Sequence, residues 1–258
     1  MLLAVDVGNT NIVLGVFEDD TLRATWHIAT DLHRTADEYA VPLMNLLPRS
    51  GLQLADIDSA VMACVVPPLE PVFEELSQTY LGIQPLVIRP GVKTGVRISI
   101  DNPREVGADR VVNAAAAHRI YGGPLIVIDF GTATTLDAVS ADGDYLGGAI
   151  APGIGISAEA LFQRASKLPR IELIPPERAI GRNTVAAMQS GVMFGYVGLV
   201  ENLVARIRLE LGGNVKVIAT GGLANVIAKQ TKVIEEVDPN LTLIGLRLIY
   251  EMNKAGEQ

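Results

Sequence analysis

The chain has 258 residues, of which 49% are hydrophobic and 19% are charged, and its formal net charge is −8. This composition supplies enough apolar material for one large domain or two ordinary ones and argues against extensive disorder. The acidic balance, without a local run of Lys and Arg, argues against a nucleic-acid partner. The chain opens on a strand-like segment with no basic region and no long apolar run, so we expect neither export nor membrane insertion.

The first half of the chain predicts a meander of three strands, followed by helices and strands in alternation. The expected strands cover residues 2–7, 12–17, 22–28, 60–66 and 85–88. The expected helices cover residues 36–47, 69–80 and, in an alanine-rich stretch, about 108–121. Pro48 is expected to end the first of these helices, and a loop-rich connection is expected over 91–103.

The second half repeats this pattern and therefore indicates a duplication. The expected strands cover residues 125–129, 135–139, 145–150 and 215–219, and the expected helices cover 184–211 and about 243–252. We predict an α/β fold of two related domains, 1–121 and 122–258, with a cleft between them. The last helix packs either on the second domain or back on the first.

The single cysteine and the three histidines offer little chemistry. Cys64 lies in an apolar run, cannot form an intramolecular disulfide, and is expected to be a small buried side chain. The histidines lack metal-ligand spacing, so a transition-metal site is not expected. These features fit a reducing cytoplasm and a protein that handles small molecules.

Two segments of similar sequence begin the two halves. Asp6-Val7-Gly8-Asn9-Thr10-Asn11-Ile12-Val13 and Asp129-Phe130-Gly131-Thr132-Ala133-Thr134-Thr135-Leu136 each end an apolar strand in Asp-x-Gly and continue with hydroxyl or amide residues. Backbone N–H groups of such turns can approach phosphate oxygens closely, which suggests a pair of turns around a nucleotide triphosphate. The chain has neither a P-loop motif nor a dinucleotide-binding glycine motif at its first turn.

Asp6 and Asp129 occupy the same place in the two copies. Two carboxylates beside phosphates require a cation, for which magnesium or a monovalent ion is suitable. The alternative is that each aspartate only caps its own turn.

The segment from Gly107 to Arg110 opens the alanine-rich helix. Asp109 in the first turn of this helix is stabilised as an anion by the helix dipole, which suits a base that takes a proton late in phosphoryl transfer. Arg110 is able to bind a carboxylate or a phosphate through two hydrogen bonds. The alternative is a dipole-complementing aspartate beside a surface arginine.

Two further segments have both a structural and a functional interpretation. Thr220-Gly221-Gly222 follows a buried strand, where the glycines would let a flat ring lie against the backbone. Asn183 or Thr184 precedes a long helix, where either residue is an ordinary N-cap candidate.

Together these motifs resemble the actin, hexokinase and sugar-kinase superfamily, whose fold consists of duplicated ribonuclease H-like domains with a central cleft. More narrowly, the chain resembles type III pantothenate kinases. The motifs that carry this resemblance run in order along the chain: Asp6-Val7-Gly8-Asn9-Thr10, Gly107-Ala108-Asp109-Arg110, Asp129-Phe130-Gly131-Thr132-Ala133-Thr134-Thr135, Gly147-Gly148 with Pro152-Gly153, and Thr220-Gly221-Gly222.

The resemblance implies ATP-dependent phosphorylation of pantothenate at its primary hydroxyl, the first step of coenzyme A synthesis. It implies that the ATP contacts are Asp6, Val7, Gly8, Asn9, Thr10, Asn11, Ile12, Val13 and Thr132. The implied pantothenate contacts are Gly107, Ala108, Asp109, Arg110 and Thr184, with Asp109 as the proton acceptor. The implied cations are K⁺ or NH₄⁺ at Asp129 and Mg²⁺ held indirectly by Asp6, and the implied assembly is a homodimer whose second subunit helps to close the pantothenate pocket.

One position departs from the family pattern. Many members carry a tyrosine two residues before the Asn-Pro pair, where it lines the substrate site, whereas this chain has Ile100. The polarity of the pocket is therefore not predicted. Two other functions remain as alternatives: a non-catalytic relative that acts as an accessory factor in transcription, and an actin-like ATPase that assembles or moves partners.

Overall fold

The computed structural model describes residues 1–254, and the chain forms two compact units. The first unit contains residues 1–96, residues 102–116 and the helix Leu241–Lys254. The second unit contains residues 97–101 and residues 117–240. The last helix, whose place the sequence left open, thus belongs to the first unit.

The strands, numbered in chain order, are β1 Leu2–Val7, β2 Asn11–Glu18, β3 Thr21–Ala29, β4 Ser59–Cys64, β5 Leu86–Val87, β6 Leu125–Phe130, β7 Ala133–Val139, β8 Tyr145–Pro152, β9 Lys216–Thr220 and β10 Glu236–Val237. The α-helices are α1 Ala36–Arg49, α2 Glu70–Leu76, α3 Ala108–Tyr121, α4 Ile154–Arg164, α5 Thr184–Leu211, α6 Ala224–Ala228 and α7 Leu241–Lys254. Short 3₁₀ or π turns cover Leu54–Asp56, Pro67–Leu69, Ser77–Leu81 and Pro103–Glu105.

The first unit is built on a five-stranded sheet of order β3-β2-β1-β4-β5. The central strand β1 is antiparallel to β2 and parallel to β4. One face of the sheet packs on side chains of α1 and α2, and the other packs on side chains of α3 and α7. Because β1 is covered on both faces, its residues are almost all buried, and the half-buried Asp6 near its carboxyl end is the exception inside the strand.

The second unit repeats this arrangement with a sheet of order β10-β9-β6-β7-β8. Its central strand β6 is antiparallel to β7 and parallel to β9. A core of side chains from this sheet, α4 and α5 contains Met193, Val200 and Val217, which are fully buried. The duplication predicted from the two similar segments is confirmed at the level of strand order, since each segment begins at the central strand of its own sheet.

Most predicted elements are present, and the differences have physical causes. Helix α1 contains Pro42 and continues one residue past Pro48, because buried Tyr39, Leu43 and Leu47 anchor it despite the lost N–H groups. The helix expected over 69–80 is instead a 3₁₀ turn, a short α2 and a π turn. Helix α4 and strand β10 were not predicted. Within residues 1–254, no helix is both long enough and apolar enough to cross a membrane.

Candidate phosphate-binding and catalytic residues

The turn between β1 and β2 is exposed, whereas most strand residues that precede and follow it are buried. The N–H of Gly8 donates to the carbonyl of Asn11 over 3.1 Å. A Cβ at Gly8 would lie 2.9 Å from that carbonyl oxygen, so this close approach favours glycine. Asn9, Thr10 and Asn11 are exposed. This leaves the backbone of the turn on the surface, where a phosphate can reach it.

The strand residues on either side of this turn are fixed by pairing and burial. Val7 pairs with Ile12 and Asp6 pairs with Val13 across the two antiparallel strands. Val7 and Ile12 are fully buried in the core of the first unit. The predicted segment 6–13 is therefore one continuous hairpin tip whose position is set by the sheet.

Thr30, which the sequence did not single out, ties this turn to the end of β3. Its hydroxyl donates to the carbonyl of Gly8 over 2.6 Å, and its N–H donates to the carbonyl of Thr10 over 3.0 Å. The contact joins residues 22 positions apart, so no local pattern reveals it.

The segment Gly107–Arg110 forms the start of α3, as predicted. The Asp109 carboxylate accepts a hydrogen bond from the backbone N–H of Arg110 over 2.8 Å. A Cβ at Gly107 would lie 2.5 Å from Oδ1 of Asp109, so a side chain at this position would displace the carboxylate. Glycine at position 107 thus leaves room for the Asp109 carboxylate in the first turn of the helix, where the helix dipole favours a negative charge.

Asn102 begins the 3₁₀ turn before this segment. Its side chain accepts from the N–H of Arg104 at 3.4 Å and donates to the Glu105 carboxylate at 2.7 Å. Asn102 is thus the N-cap of this turn, and its amide also binds the Glu105 carboxylate.

The start of α3 lies at the same end of the sheet as the β1–β2 turn, next to the carboxyl ends of β1 and β4; this end is called the sheet edge below. The position of a Cβ on Gly107 is 3.6 Å from a methyl group of Val65. The N–H of Val65 in turn donates to the carbonyl of Val7 over 3.1 Å, directly before the turn. The structure thus brings two of the predicted motifs together, since residues 6–13 and 107–110 belong to one edge of the first unit.

Cys64 ends β4 at this edge and pairs with Val7. It is half-buried, and its thiol donates to the carbonyl of Val66 over 3.2 Å. Burial raises the pKa of this thiol, so it remains protonated at neutral pH and is a poor nucleophile. Cys64 is therefore half-buried rather than fully buried as expected, and this environment indicates no reactive role for it.

Asp129 has the corresponding position in the second unit, at the carboxyl end of β6. Its Oδ1 lies 2.6 Å from the position of a Cβ on Gly221 and 3.5 Å from that of a Cβ on Gly131. Gly221 has a φ of +90°, which disfavours any other residue. Gly221 therefore forms a cradle for the carboxylate that a side chain would fill, whereas a Cβ on Gly131 would make only ordinary van der Waals contact with it. Among residues 1–254, no group of three or more His, Cys, Asp or Glu side chains has metal-binding geometry.

Thr132 follows in the exposed turn after β6. Its carbonyl accepts the N–H of Gly153 over 3.0 Å, so this turn is bound to the start of α4. The pairing of the Gly131-Thr132 turn with Pro152-Gly153, two motifs far apart in sequence, places both beside Asp129 in the second unit.

A buried carboxylate, Asp137, lies two residues beyond Thr135 on β7. It accepts the hydroxyl of Tyr145 over 2.8 Å and the hydroxyl of Thr135 over 3.1 Å. These bonds offset the cost of burying the carboxylate, since Asp137 has no exposed surface. Thr135 stands directly opposite Asp129 in the β6–β7 pairing.

Thr184 is exposed at the first position of α5, and Asn183 is the N-cap. The side chain of Asn183 accepts the N–H of Ala186 over 2.8 Å, which settles the choice between the two N-cap candidates. Thr184 also lines an open groove of about 860 Å³ between α4 and α5, together with Arg182 and Tyr196. Because Asn183 is the N-cap, the hydroxyl of Thr184 is not needed to cap the helix.

Ile100 belongs to the second unit. Its neighbour Ile98 forms an isolated bridge with Tyr145, and a methyl group of Ile100 is 3.4 Å from the position of a Cβ on Gly147. The side chain is half-buried. An apolar side chain therefore packs at the glycine-containing part of β8, where it contributes no hydrogen-bonding group.

The chain is similar to known proteins along almost its whole length. The chain matches the family model described as type III pantothenate kinase over residues 2–206. A type III pantothenate kinase of Moorella thermoacetica is 57% identical over 253 residues, covering 98% of this chain and 100% of that protein. Another, from Geobacter sulfurreducens, is 54% identical and covers 98% of this chain and 100% of its own length.

A solved structure from Campylobacter jejuni, provisionally named as a Baf family transcriptional activator, has a TM-score of 0.64 at 19% identity and covers 98% of this chain and 99% of its own. This likeness concerns the fold alone. The two five-stranded mixed sheets with their helices form an actin- and hexokinase-like fold, as predicted.

Proposed function

The chain belongs to the type III pantothenate kinase family, and we propose that the turn after β1 and the first turn of α3 carry its reaction. The protein is an ATP-dependent kinase that phosphorylates pantothenate in coenzyme A biosynthesis. The observation that carries the proposal is the Asp109 carboxylate, held between Gly107 and a helix N-terminus at the sheet edge that bears the hairpin tip.

In this proposal, residues 6–13 bind the phosphates of ATP. The exposed turn Asn9–Asn11 offers backbone N–H groups, hydroxyl and amide groups, all of which bind phosphate oxygens. Thr132 supplies a further ATP contact from its own exposed turn.

Asp109 acts as the base. The primary hydroxyl of pantothenate attacks the γ-phosphorus, the bond to the bridging oxygen breaks, and ADP leaves. The hydroxyl proton passes to the Asp109 carboxylate, which needs little basicity because the proton moves late in a loose transition state. Arg110 binds the pantothenate carboxylate through two hydrogen bonds, and Thr184 makes a further contact with the substrate.

The oxygen donors fit the cations that we assign. A single carboxylate with phosphates and water is a common way to hold Mg²⁺, so Asp6 is assigned to Mg²⁺ indirectly. Asp129 in its glycine cradle is assigned to K⁺ or NH₄⁺, because the cradle leaves the carboxylate room beside backbone. These ions would neutralise the charge of the transferring phosphoryl group.

The proposal is tested by steady-state release of ADP with ATP, Mg²⁺ and K⁺. We expect release to require pantothenate. Binding of ATP without pantothenate-dependent ADP release would instead favour the accessory-factor alternative.

Replacement of K⁺ by Na⁺ at constant ionic strength is expected to lower this rate several-fold, because Na⁺ is smaller and does not fit the same oxygen positions. The rate should return when NH₄⁺ is added. Equal rates in all three salts would contradict the assignment of a monovalent cation to Asp129.

We also propose that the protein is a cytoplasmic homodimer that associates through the α4–α5 face of the second unit. Apolar side chains are exposed on α4 and on the segment before α5: Ile156, Leu161, Phe162, Ile174 and Ile180. Exposed apolar side chains of this kind, of which Leu161 lines the apolar groove, are typical of an interface. The groove also contains the substrate-contact candidate Thr184, which is consistent with a second subunit helping to close the pantothenate pocket.

The dimer is tested by light scattering coupled to size exclusion. Ile180 is 84% exposed, and we expect Ile180→Asp to yield monomers because a buried charge is costly at an apolar interface. Leu209 is equally exposed but lies near the far end of α5, so Leu209→Asp serves as the matched control and should remain dimeric. A monomeric parent protein would contradict the proposal.

A further inference from the structure

Thr30, the residue directly after β3, makes two hydrogen bonds to the turn between β1 and β2. Its hydroxyl binds the carbonyl of Gly8 at 2.6 Å, and its backbone N–H binds the carbonyl of Thr10 at 3.0 Å. The second bond continues the β2–β3 ladder one position beyond the last strand pair, Asn11 with Ala29. Thr30 is thus bound to the turn through its side chain and its backbone.

Each of the two accepting carbonyls lies in one rigid peptide plane with the N–H of the next residue: the Gly8 carbonyl with the N–H of Asn9, and the Thr10 carbonyl with the N–H of Asn11. In a trans peptide, the C=O and the N–H point in opposite directions. The bond from the Thr30 hydroxyl therefore sets the direction of the Asn9 N–H, and the bond from its backbone sets that of the Asn11 N–H. Both N–H groups are directed away from their bonds to Thr30.

The turn between β1 and β2 does not have the backbone conformation that is usual for a tight hairpin. Tight hairpins prefer turns with positive φ at one or both central residues. Within residues 1–254, Asp19 is the only residue other than glycine with positive φ, and it lies in the next turn. Asn9 and Thr10 therefore lack that geometry, and bonds from outside the turn gain importance in fixing its shape.

We propose that Thr30 is a positioning residue for the phosphoryl donor, which holds two backbone N–H groups of the turn in the direction that a phosphate requires. Backbone N–H groups with fixed directions bind anions without a further loss of conformational freedom. The inference rests on the proposed function of residues 6–13, and it adds to that segment a residue that itself contacts no substrate.

The test is the affinity for ATP, measured by calorimetry, and the KM for ATP in the pantothenate-dependent assay. Thr30→Val keeps the shape and the backbone N–H but removes the hydroxyl. We expect the Kd and the KM for ATP both to rise about five- to tenfold, as for the loss of one hydrogen bond that orders a binding site. The affinity for pantothenate should not change. Thr30→Ser restores the hydroxyl and should restore ATP binding.

Thr25→Val is the matched control, because Thr25 is an exposed threonine within β3 and lies away from the turn. Equal ATP affinities in Thr30→Val and Thr25→Val, with both variants folded, would overturn the inference. If Thr30→Val does not fold, Thr30→Ala is compared with Thr30→Ser by the same criterion. Asp6→Asn distinguishes failure of the proposed ATP site from failure of the role of Thr30. Unchanged ATP affinity in that variant would overturn the assignment of residues 6–13 to ATP, and with it the role of Thr30.

Discussion

Asp109→Asn is expected to lower kcat about 10²- to 10⁴-fold, the usual contribution of a positioned general base. The amide has the same shape as the carboxylate, and its oxygen still accepts the N–H of Arg110, so the start of α3 should remain intact. It lacks the basicity to take the hydroxyl proton. Steady-state kinetics with calorimetric titrations should therefore show nearly unchanged affinities for ATP and pantothenate.

The matched control is Asp101→Asn, which makes the same change on an exposed loop aspartate before α3. This variant should retain the parent rate. A kcat for Asp109→Asn within a few-fold of that of the control would mean that another group accepts the proton. A loss of pantothenate affinity with kcat unchanged would instead make Asp109 a binding residue only.

Gly221→Ala is expected to destabilise the second unit by about 2 to 5 kcal/mol. A residue with a Cβ is strained at a φ of +90°, and the new Cβ would lie 2.7 Å from backbone atoms of Phe130, which cannot move as a flexible side chain can. The strain contributes about 1–2 kcal/mol and the overpacking about 1–3 kcal/mol. Thermal unfolding should show the loss, and the K⁺ concentration needed for half-maximal activity should rise because the Cβ also meets Asp129.

Gly222→Ala provides the control for this change. The adjacent glycine has no positive φ, and a Cβ there meets no atom within 4 Å. Its unfolding temperature and its K⁺ requirement should both stay close to those of the parent. Similar unfolding temperatures for the two variants would show that the cradle around Asp129 tolerates a side chain.

Much of the fold of both units could be predicted from local patterns. The strand-turn-strand pattern around Gly8 and the apolar run that ends at Asp129 are set by alternation and by turn chemistry, both of which lie within a few residues. Asp109 could be placed because the alanine-rich helix and the preceding glycine define where that helix begins. These local signals were sufficient to find the two motifs that lie at one sheet edge.

The remaining features depend on contacts between distant parts of the chain. Helix α4 opens with Ile154-Gly155-Ile156, residues of low helix propensity, and it is stabilised by packing on α5. Pro48 lies inside α1 because the buried face of that helix compensates for the missing hydrogen bond. Thr30 acts across 22 positions, and a polar residue at a strand end gives no local signal of its partner.

The most direct measurement of the central claim is the phosphorus NMR spectrum of the product formed from ATP and pantothenate in the presence of Mg²⁺ and K⁺. We expect a phosphate ester whose phosphorus couples to the two protons of one CH₂ group, as the primary hydroxyl requires, and no such signal in the same time with Asp109→Asn. A signal that grows equally fast with Asp109→Asn, or a parent reaction that yields only ADP and inorganic phosphate, would contradict the account.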